Sequence, residues 1–454
     1  MIKHFNSFLF SEKLNQNPII KSIRSGLIFM IPVLLIGSIA LTLKSFPINI
    51  YQEFITDFQN GILINFFEII YQSTFGLLSL YMAITVSINY FQYSSEKLYG
   101  TLGCVISSIS VFALFSGFGT KDFNISSFGA KGIFIAVISA LLSTKIYSFI
   151  IFRNKKNNLY SDGADSGFNN SIKSIFPSLI VTSLFAVINE IIKFIFSVNC
   201  IYDLFIKSIN SVFENISSDF LSGFLFVLIS SILWFFGIHG SDVLEGVSQH
   251  IFQQNTLINE TAYKAGQNPE LIFTKEFFDI FVLMGGCGTA ICLFIALLLF
   301  SKHKSNRKLS KMAFFPMIFN INEILIFGLP IVFNPIFLIP FILTPLVTFM
   351  TSFFAISLGL VPATCSAVTW TTPIIFGGYI ATKSIAGCIL QIINIIIGVI
   401  IYAPFVKLCD KQRKFIAQKR LDSLIKFIKD QETINSNYSL LNDLPAELRL
   451  VAQM

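Results

Sequence analysis

Apolar residues along this chain run in long uninterrupted blocks rather than in amphipathic stripes. Gly26 to Leu43, Thr101 to Phe118, Gly132 to Phe152 and Phe277 to Phe300 are four of them. Each approaches or exceeds the roughly 20 apolar residues that cross a hydrocarbon core at about 1.5 Å rise per helical residue. Backbone inside lipid must satisfy its own N–H and C=O groups, so these blocks predict helices. The alternating segments of a membrane barrel are missing from the pattern. Further blocks lie at Gly61 to Phe91, Ile175 to Phe196 and Phe220 to Ile238. The expected fold is an all-α polytopic membrane protein with about ten transmembrane helices plus re-entrant hairpins.

Basic residues punctuate the blocks in four clusters. Lys3, Lys13, Lys21 and Arg24 form the first; Arg153, Lys155 and Lys156 the second. Lys302, Lys304, Arg307, Lys308 and Lys311 form the third, and Lys407 to Lys429 the fourth. The positive-inside rule puts all four in the cytoplasm, together with both termini. Four apolar blocks fit between the first two clusters, an even number, as required. Between the second and third there are three, and an odd number cannot return the chain to the same side. One segment is therefore expected to stop part-way, and Gly237-Ile238-His239-Gly240 is the natural break. Broken backbone at membrane depth is tolerated only inside protein or along a cavity, so the failed parity points to an internal site.

The stretch from Met312 to Phe405 repeats the message with Pro316, Pro330, Pro335, Pro340, Pro345, Pro362, Pro373 and Pro404. Prolines at this density predict broken helices and re-entrant hairpins. Beyond it, Lys407 to Glu432 is charged, with Leu421, Leu424, Ile425 and Ile428 at helical spacing, and reads as an amphipathic cytoplasmic helix. The run from Leu444 to Leu450 is a candidate final helix, and Phe5, Phe8 and Leu9 a short interfacial one. The chain thus divides into a cytoplasmic amphipathic start (1–25), a first membrane half (26–218), a second membrane half (219–406) and a charged cytoplasmic helix and tail (407–454).

Composition agrees. Of 454 residues 54% are hydrophobic and 13% charged, against roughly a quarter charged in soluble proteins. The net charge of +7 resides at the ends of apolar blocks, where it orients the chain in lipid, and does not suggest nucleic acid. Cys104, Cys200, Cys287, Cys292, Cys365, Cys388 and Cys409 mostly sit inside the blocks and read as small buried residues, not disulfides. With four scattered histidines no metal site is expected, and no cofactor is implied. Met1 to Arg24 lacks the cleavage site of a removable signal.

Ionisable residues within apolar blocks are costly and become functional candidates. His239 stands at the break after Trp234-Phe235-Phe236-Gly237-Ile238, and Glu323 interrupts an apolar run directly after Asn320-Ile321-Asn322. A carboxylate and two amides facing a cavity suit the hydroxyls of a neutral polar solute such as a sugar. An imidazole within reach orients or deprotonates one of them. The bland alternative is a packing histidine and a helix cap. Asp242 and Glu245 read as solvated at a cavity mouth. Gly285-Gly286-Cys287-Gly288 fits no nucleotide motif and reads as a site of close helix packing.

These residues carry a resemblance. Trp234 to Gly240, and Phe319 to Glu323 continuing through Phe327-Gly328-Leu329-Pro330 to Pro335, are similar to the lactose/cellobiose family of phosphotransferase-system (PTS) sugar permeases, the EIIC component. Met284-Gly285-Gly286, Trp370-Thr371-Thr372-Pro373 to Gly378 and Ile389-Leu390-Gln391 extend the likeness over roughly residues 1 to 410. The resemblance implies a homodimer in a bacterial cytoplasmic membrane, with dimer contacts in the first half and disaccharide binding in the second. It implies IIB and IIA partners, with phosphate delivered from a IIB cysteine, and it puts the sugar-binding residues at His239 and Glu323, with Asn322 in the same pocket. Cellobiose, lactose and diacetylchitobiose are the substrate class. Two features depart from the family: Ile324 where Pro is usual, and the long charged tail. They resemble EIIC-like domains that precede cyclic-di-GMP-degrading enzymes. Three readings follow: a phosphorylation-coupled sugar permease, a sugar sensor or degenerate permease signalling through its C-terminal helix, and an ion-driven transporter. The missing paired intramembrane carboxylates weigh against the last.

Overall fold

The computed structural model describes residues 17–46, 48–94, 100–121, 123–153, 165–213, 219–329 and 331–432. Everything described is helix, turn or extended connection. The first half runs α1 (Pro18–Phe29), α2 (Ile31–Lys44), α3 (Asn49–Asp57), α4 (Ile62–Thr74), α5 (Leu78–Ser94), α6 (Thr101–Phe115), α7 (Ile133–Arg153), α8 (Ser166–Phe196) and α9 (Ile201–Asn210). The second half runs α10 (Phe220–Phe235), α11 (Gly240–Val243), α12 (Gln253–Lys264), a π-helical segment Phe277–Val282, α13 (Ala290–Phe300), α14 (Lys304–Ile318), α15 (Glu323–Gly328), α16 (Pro335–Ser357), α17 (Phe376–Thr382) and α18 (Ile385–Glu432).

Local chemistry sets the ends. Asn17 Oδ1 accepts the Ile19 N–H at 2.9 Å, with Pro18 opening α1. Asp165 caps α8, Asp219 caps α10, and Asn334 caps α16 directly ahead of Pro335. These are short acceptors for N–H groups that have no partner inside the helix. Pro32 at the start of α2 accompanies a 45° bend between α1 and α2, since proline removes one bond from the ladder.

Among the described residues six helical segments are long and apolar enough to cross a membrane, or seven with the bent α1–α2 pair, and α6 and α10 are shorter apolar helices. The proline-rich stretch is only partly broken. Pro316, Pro340, Pro345 and Pro404 lie inside continuous helices, and Pro335 opens one. Breaks fall at 319–322, at 331–334 directly ahead of Pro335, and at 358–375, which contains Pro362 and Pro373. The charged segment from Lys407 is the uninterrupted continuation of α18. The expected helices at Phe5–Leu9 and Leu444–Leu450, and Pro330, lie outside the described residues.

α5 and α7 pack parallel, start beside start and end beside end. Ser79 near the start of α5 donates to Gly129 O just ahead of α7 at 2.5 Å, and Phe91 near its end meets Phe152 with ring centroids 5.8 Å apart. The 125–132 connection and Arg153 therefore lie at opposite ends of a helix about 30 Å long. Lys21 rests over the Tyr93 ring and Ser25 bonds its hydroxyl, so α1 begins at the Arg153 end. At the other basic loops, Asp410 of α18 accepts from Ser301 Oγ, Asn306 Nδ2 and the Lys302 N–H, the last at 2.6 Å. That carboxylate fastens the start of α14 to α18.

Candidate functional site

Three breaks in the second half meet at one place. The first follows α10. Gly237 has φ +82°, and a Cβ on Gly240 would stand 2.3 Å from Ser230 O. The chain can fold back on α10 there only without a side chain. His239, between these glycines, sets its ring on Trp234 with centroids 4.4 Å apart. Its Nδ1 lies 3.2 Å from Asp242 Oδ1 and 3.4 Å from the Asp242 backbone nitrogen. The Asp242 N–H donates to Nδ1 and caps α11; a proton on Nδ1 instead serves the Asp242 carboxylate and leaves Nε2 to accept from the cavity. Asp242, expected at a solvated mouth, has a half-exposed side chain and serves as the histidine's partner.

The second break separates the π-helical segment from α13. Gly285, Gly286 and Gly288 all have positive φ, as does Thr289. The glycine run is thus no helix-packing stripe, contrary to the reading of its sequence. It is a backbone reversal, and a Cβ on Gly286 would stand 2.3 Å from Asn322 Nδ2. The third break precedes α15. Asn320, at φ +63°, accepts the Gly285 N–H at 3.0 Å and donates to Trp370 O and Thr372 O at 2.7 and 2.9 Å. One amide therefore ties together the 284–289 and 319–322 breaks and the extended 358–375 segment.

Glu323 and Asn322, both buried, follow directly. Glu323 Oε2, Asn322 Nδ2 and Trp234 Nε1 are buried with no hydrogen-bond partner among the described residues. Buried polar atoms are nearly always paired, so three together mark a place built for a ligand. They face a cavity of about 650 Å³, within the usual range for small-molecule sites. Of the two amides flanking the carboxylate in the sequence, only Asn322 is left for a ligand.

The rest of the cavity wall comes from both halves. Tyr71, Gln72 and Gly129 to Lys131 line it from the first half, and Glu245, Gln249, Lys275 and Asp279 from the second. Lys131 pairs with Glu245 across the halves, and Lys275 pairs with Asp279. The sequence put Glu245 at a cavity mouth but missed Lys131, Lys275 and Asp279, because each looks like an ordinary solvated charge near the end of a block. Behind the site, Gln391 of α18 donates to Ile280 O at 2.8 Å and accepts from Ile375 and Gly378 N–H. Asn394 bonds Phe281 O at 3.0 Å. These amides serve carbonyls of the π-helical segment at membrane depth. Among the described residues no group of histidine, cysteine and carboxylate side chains could hold a metal ion.

Residues 24–345 match the family model described as "Phosphotransferase system, EIIC". The chain belongs to the EIIC family. It is 31% identical over 427 residues to the oligo-beta-mannoside-specific EIIC component of Bacillus subtilis (strain 168), covering 90% of this chain and 94% of the relative. The cellobiose-specific EIIC component of Geobacillus stearothermophilus is 31% identical over 429 residues, covering 89% and 92%. The crystal structure of ChbC, the IIC component of an N,N'-diacetylchitobiose-specific phosphotransferase system, is 30% identical, covers 90% of this chain and 97% of its own, and superposes with a TM-score of 0.47. This EIIC chain is accordingly a multi-pass bacterial membrane permease of the lactose/cellobiose family, with a sugar as cargo and a IIB protein as partner.

Proposed function

We propose that this EIIC chain carries a disaccharide of the cellobiose, lactose or diacetylchitobiose class, and that Glu323, Asn322 and His239 hold the hydroxyl that becomes phosphorylated. The observation that carries this is the convergence of Glu323 Oε2, Asn322 Nδ2 and Trp234 Nε1, all buried and unpartnered, at one end of the cavity. A carboxylate accepts two sugar O–H groups, and the amide and indole N–H groups donate to sugar oxygens. His239 Nε2 takes the hydroxyl proton as that oxygen attacks the phosphoryl group on IIB, the S–P bond breaks and the IIB cysteine leaves as thiolate, and Asp242 steadies the imidazolium that results. The names of the relatives support the disaccharide class, and their different sugars leave the particular one to measurement.

On this reading the first half supplies the dimer contact, and the basic loops and both termini face the cytoplasm. The outer face of α8 favours the dimer, with Leu179, Val187 and Phe194 all exposed. The test is uptake of radiolabelled cellobiose and related disaccharides into cells that express this chain with a IIB/IIA pair. Phosphorylated sugar should accumulate with the wild type and not with Glu323→Gln. One observation favours a second reading, a sugar sensor or degenerate permease: α18 continues without interruption from the membrane through its charged part. Sugar binding without phosphosugar formation under any cognate pair would select it.

A further inference from the structure

One short segment, Ile331 to Phe333, lies between the polar end of the cavity and the face that bears the basic loops. The direction of α15 shows this. Glu323 at its start lines the cavity, whereas Gly328 at its end abuts Leu309 of the basic helix α14.

Both halves pin the segment. In the second half the Phe333 N–H donates to Phe235 O at 3.0 Å, and the Phe333 ring meets Phe235 and Phe236 with centroids 6.2 and 5.7 Å apart. A Cβ on Gly237 would stand 3.2 Å from Val332, so the segment closes directly on the break that carries His239. From the first half, Arg24 Nε donates to Val332 O at 3.0 Å and Nη2 to Phe333 O at 2.6 Å. Phe333 is held at φ +54°, a region non-glycine residues seldom adopt. Arg24 stands partly buried midway along α1. Here it reaches across the halves to main-chain carbonyls of a bent, strained segment, so movement of the second half can release these bonds without rearranging the helix that carries Arg24.

We propose that Arg24 is a positioning residue for transport. It clamps Ile331–Phe333 over the polar end of the cavity in this state, and its release opens the path by which the sugar hydroxyl meets the phosphoryl donor. The inference rests on reading that end of the cavity as the sugar site.

Cys287 lines the cavity beside Ser241 and provides a built-in reporter. The test treats vesicles that expose the basic face with a membrane-impermeant maleimide, and measures labelling of Cys287 by peptide mass spectrometry. Arg24→Gln is expected to raise its rate about five-fold or more, as a shift toward the open population. Arg24→Lys, which keeps a donor for one carbonyl, should stay much nearer the wild type. Cys409, buried near the same face, should not change. If Arg24→Gln also makes Cys409 reactive, the packing has failed, and the decision passes to Phe333→Ala, which loosens the same closure from the other half. Wild-type rates at Cys287 in Phe333→Ala and in every Arg24→Gln sample with intact packing overturn the proposal. Protection of wild-type Cys287 by cellobiose or a related disaccharide supports the sugar reading. Absence of protection by every disaccharide defeats that reading, while the Arg24 result stands or falls separately.

Discussion

Gly286 leaves Asn322 the only room it has. A methyl group there would overlap the Asn322 amide, on a backbone already at φ +85°. Gly286→Ala should push that amide out of the cavity and weaken disaccharide binding at least about ten-fold, the loss of roughly one well-made polar contact. Quenching of Trp234 fluorescence by titrated sugar would measure it. Asp242 makes a different case. Asp242→Asn keeps the shape but removes the charge that supports an imidazolium at His239. Phosphosugar formation should fall by roughly 10- to 100-fold, while sugar affinity changes little, because only proton transfer is affected. An equal loss of affinity would instead make Asp242 a direct sugar ligand. Both His239 and Glu323 were legible in the sequence, since an ionisable group in an apolar block is conspicuous. The partnership of Asp242 with His239 was not, because a carboxylate three residues on looks like any solvated charge.

At the level of elements, the distinction between broken and continuous helices decides where the site can form. Prolines proved a partial guide, since Pro362 and Pro373 lie in the 358–375 break and Pro335 ends another. Pro340 and Pro345 sit within α16, where neighbouring helices and Thr344 and Thr348 surround the interrupted ladder. The reversals depend on glycines and on positive-φ residues such as Asn320, whose conformation shows in no periodicity. The break at His239 was readable from its flanking glycines and from the failed parity. The one at Gly285–Gly288 was mistaken for packing, because small residues serve both purposes. Asn320 joins three segments through three hydrogen bonds. Asn320→Ala should therefore destabilise the folded protein by about 2–3 kcal/mol, mostly from main-chain groups left unpaired. Thermal unfolding in detergent would show this, and an unchanged midpoint would mean the breaks are held by packing alone.

In the whole molecule, the cavity belongs to neither half. The class of fold was legible from block lengths alone, whereas the contacts between halves join residues hundreds of positions apart and leave no local trace. Lys131 and Glu245 form such a contact in the cavity wall. Both are partly exposed, so the pair should contribute little to stability. Its effect should appear in transport. Lys131→Glu or Glu245→Lys alone should slow disaccharide uptake several-fold by placing like charges together, and the double exchange should restore it. Failure of the double exchange to rescue uptake would show that the two residues act separately.

The length of α18 has a mechanical consequence. From Ile385 to Glu432 it is 48 residues long, about 72 Å, or more than twice the thickness of a hydrocarbon core. Its membrane portion is bonded through Gln391 and Asn394 to the segment behind the site, and Asp410 fastens it to the basic loop. The part beyond Arg413, which also bonds Asn306 of that loop, is a lever arm roughly 28 Å long. A tilt of only about 10° at its base would carry the tip through roughly 5 Å, a stroke of about one helical turn. Each turnover at the cavity would thus be displayed beyond the basic loops as a sweep of this arm, whether or not anything is there to read it.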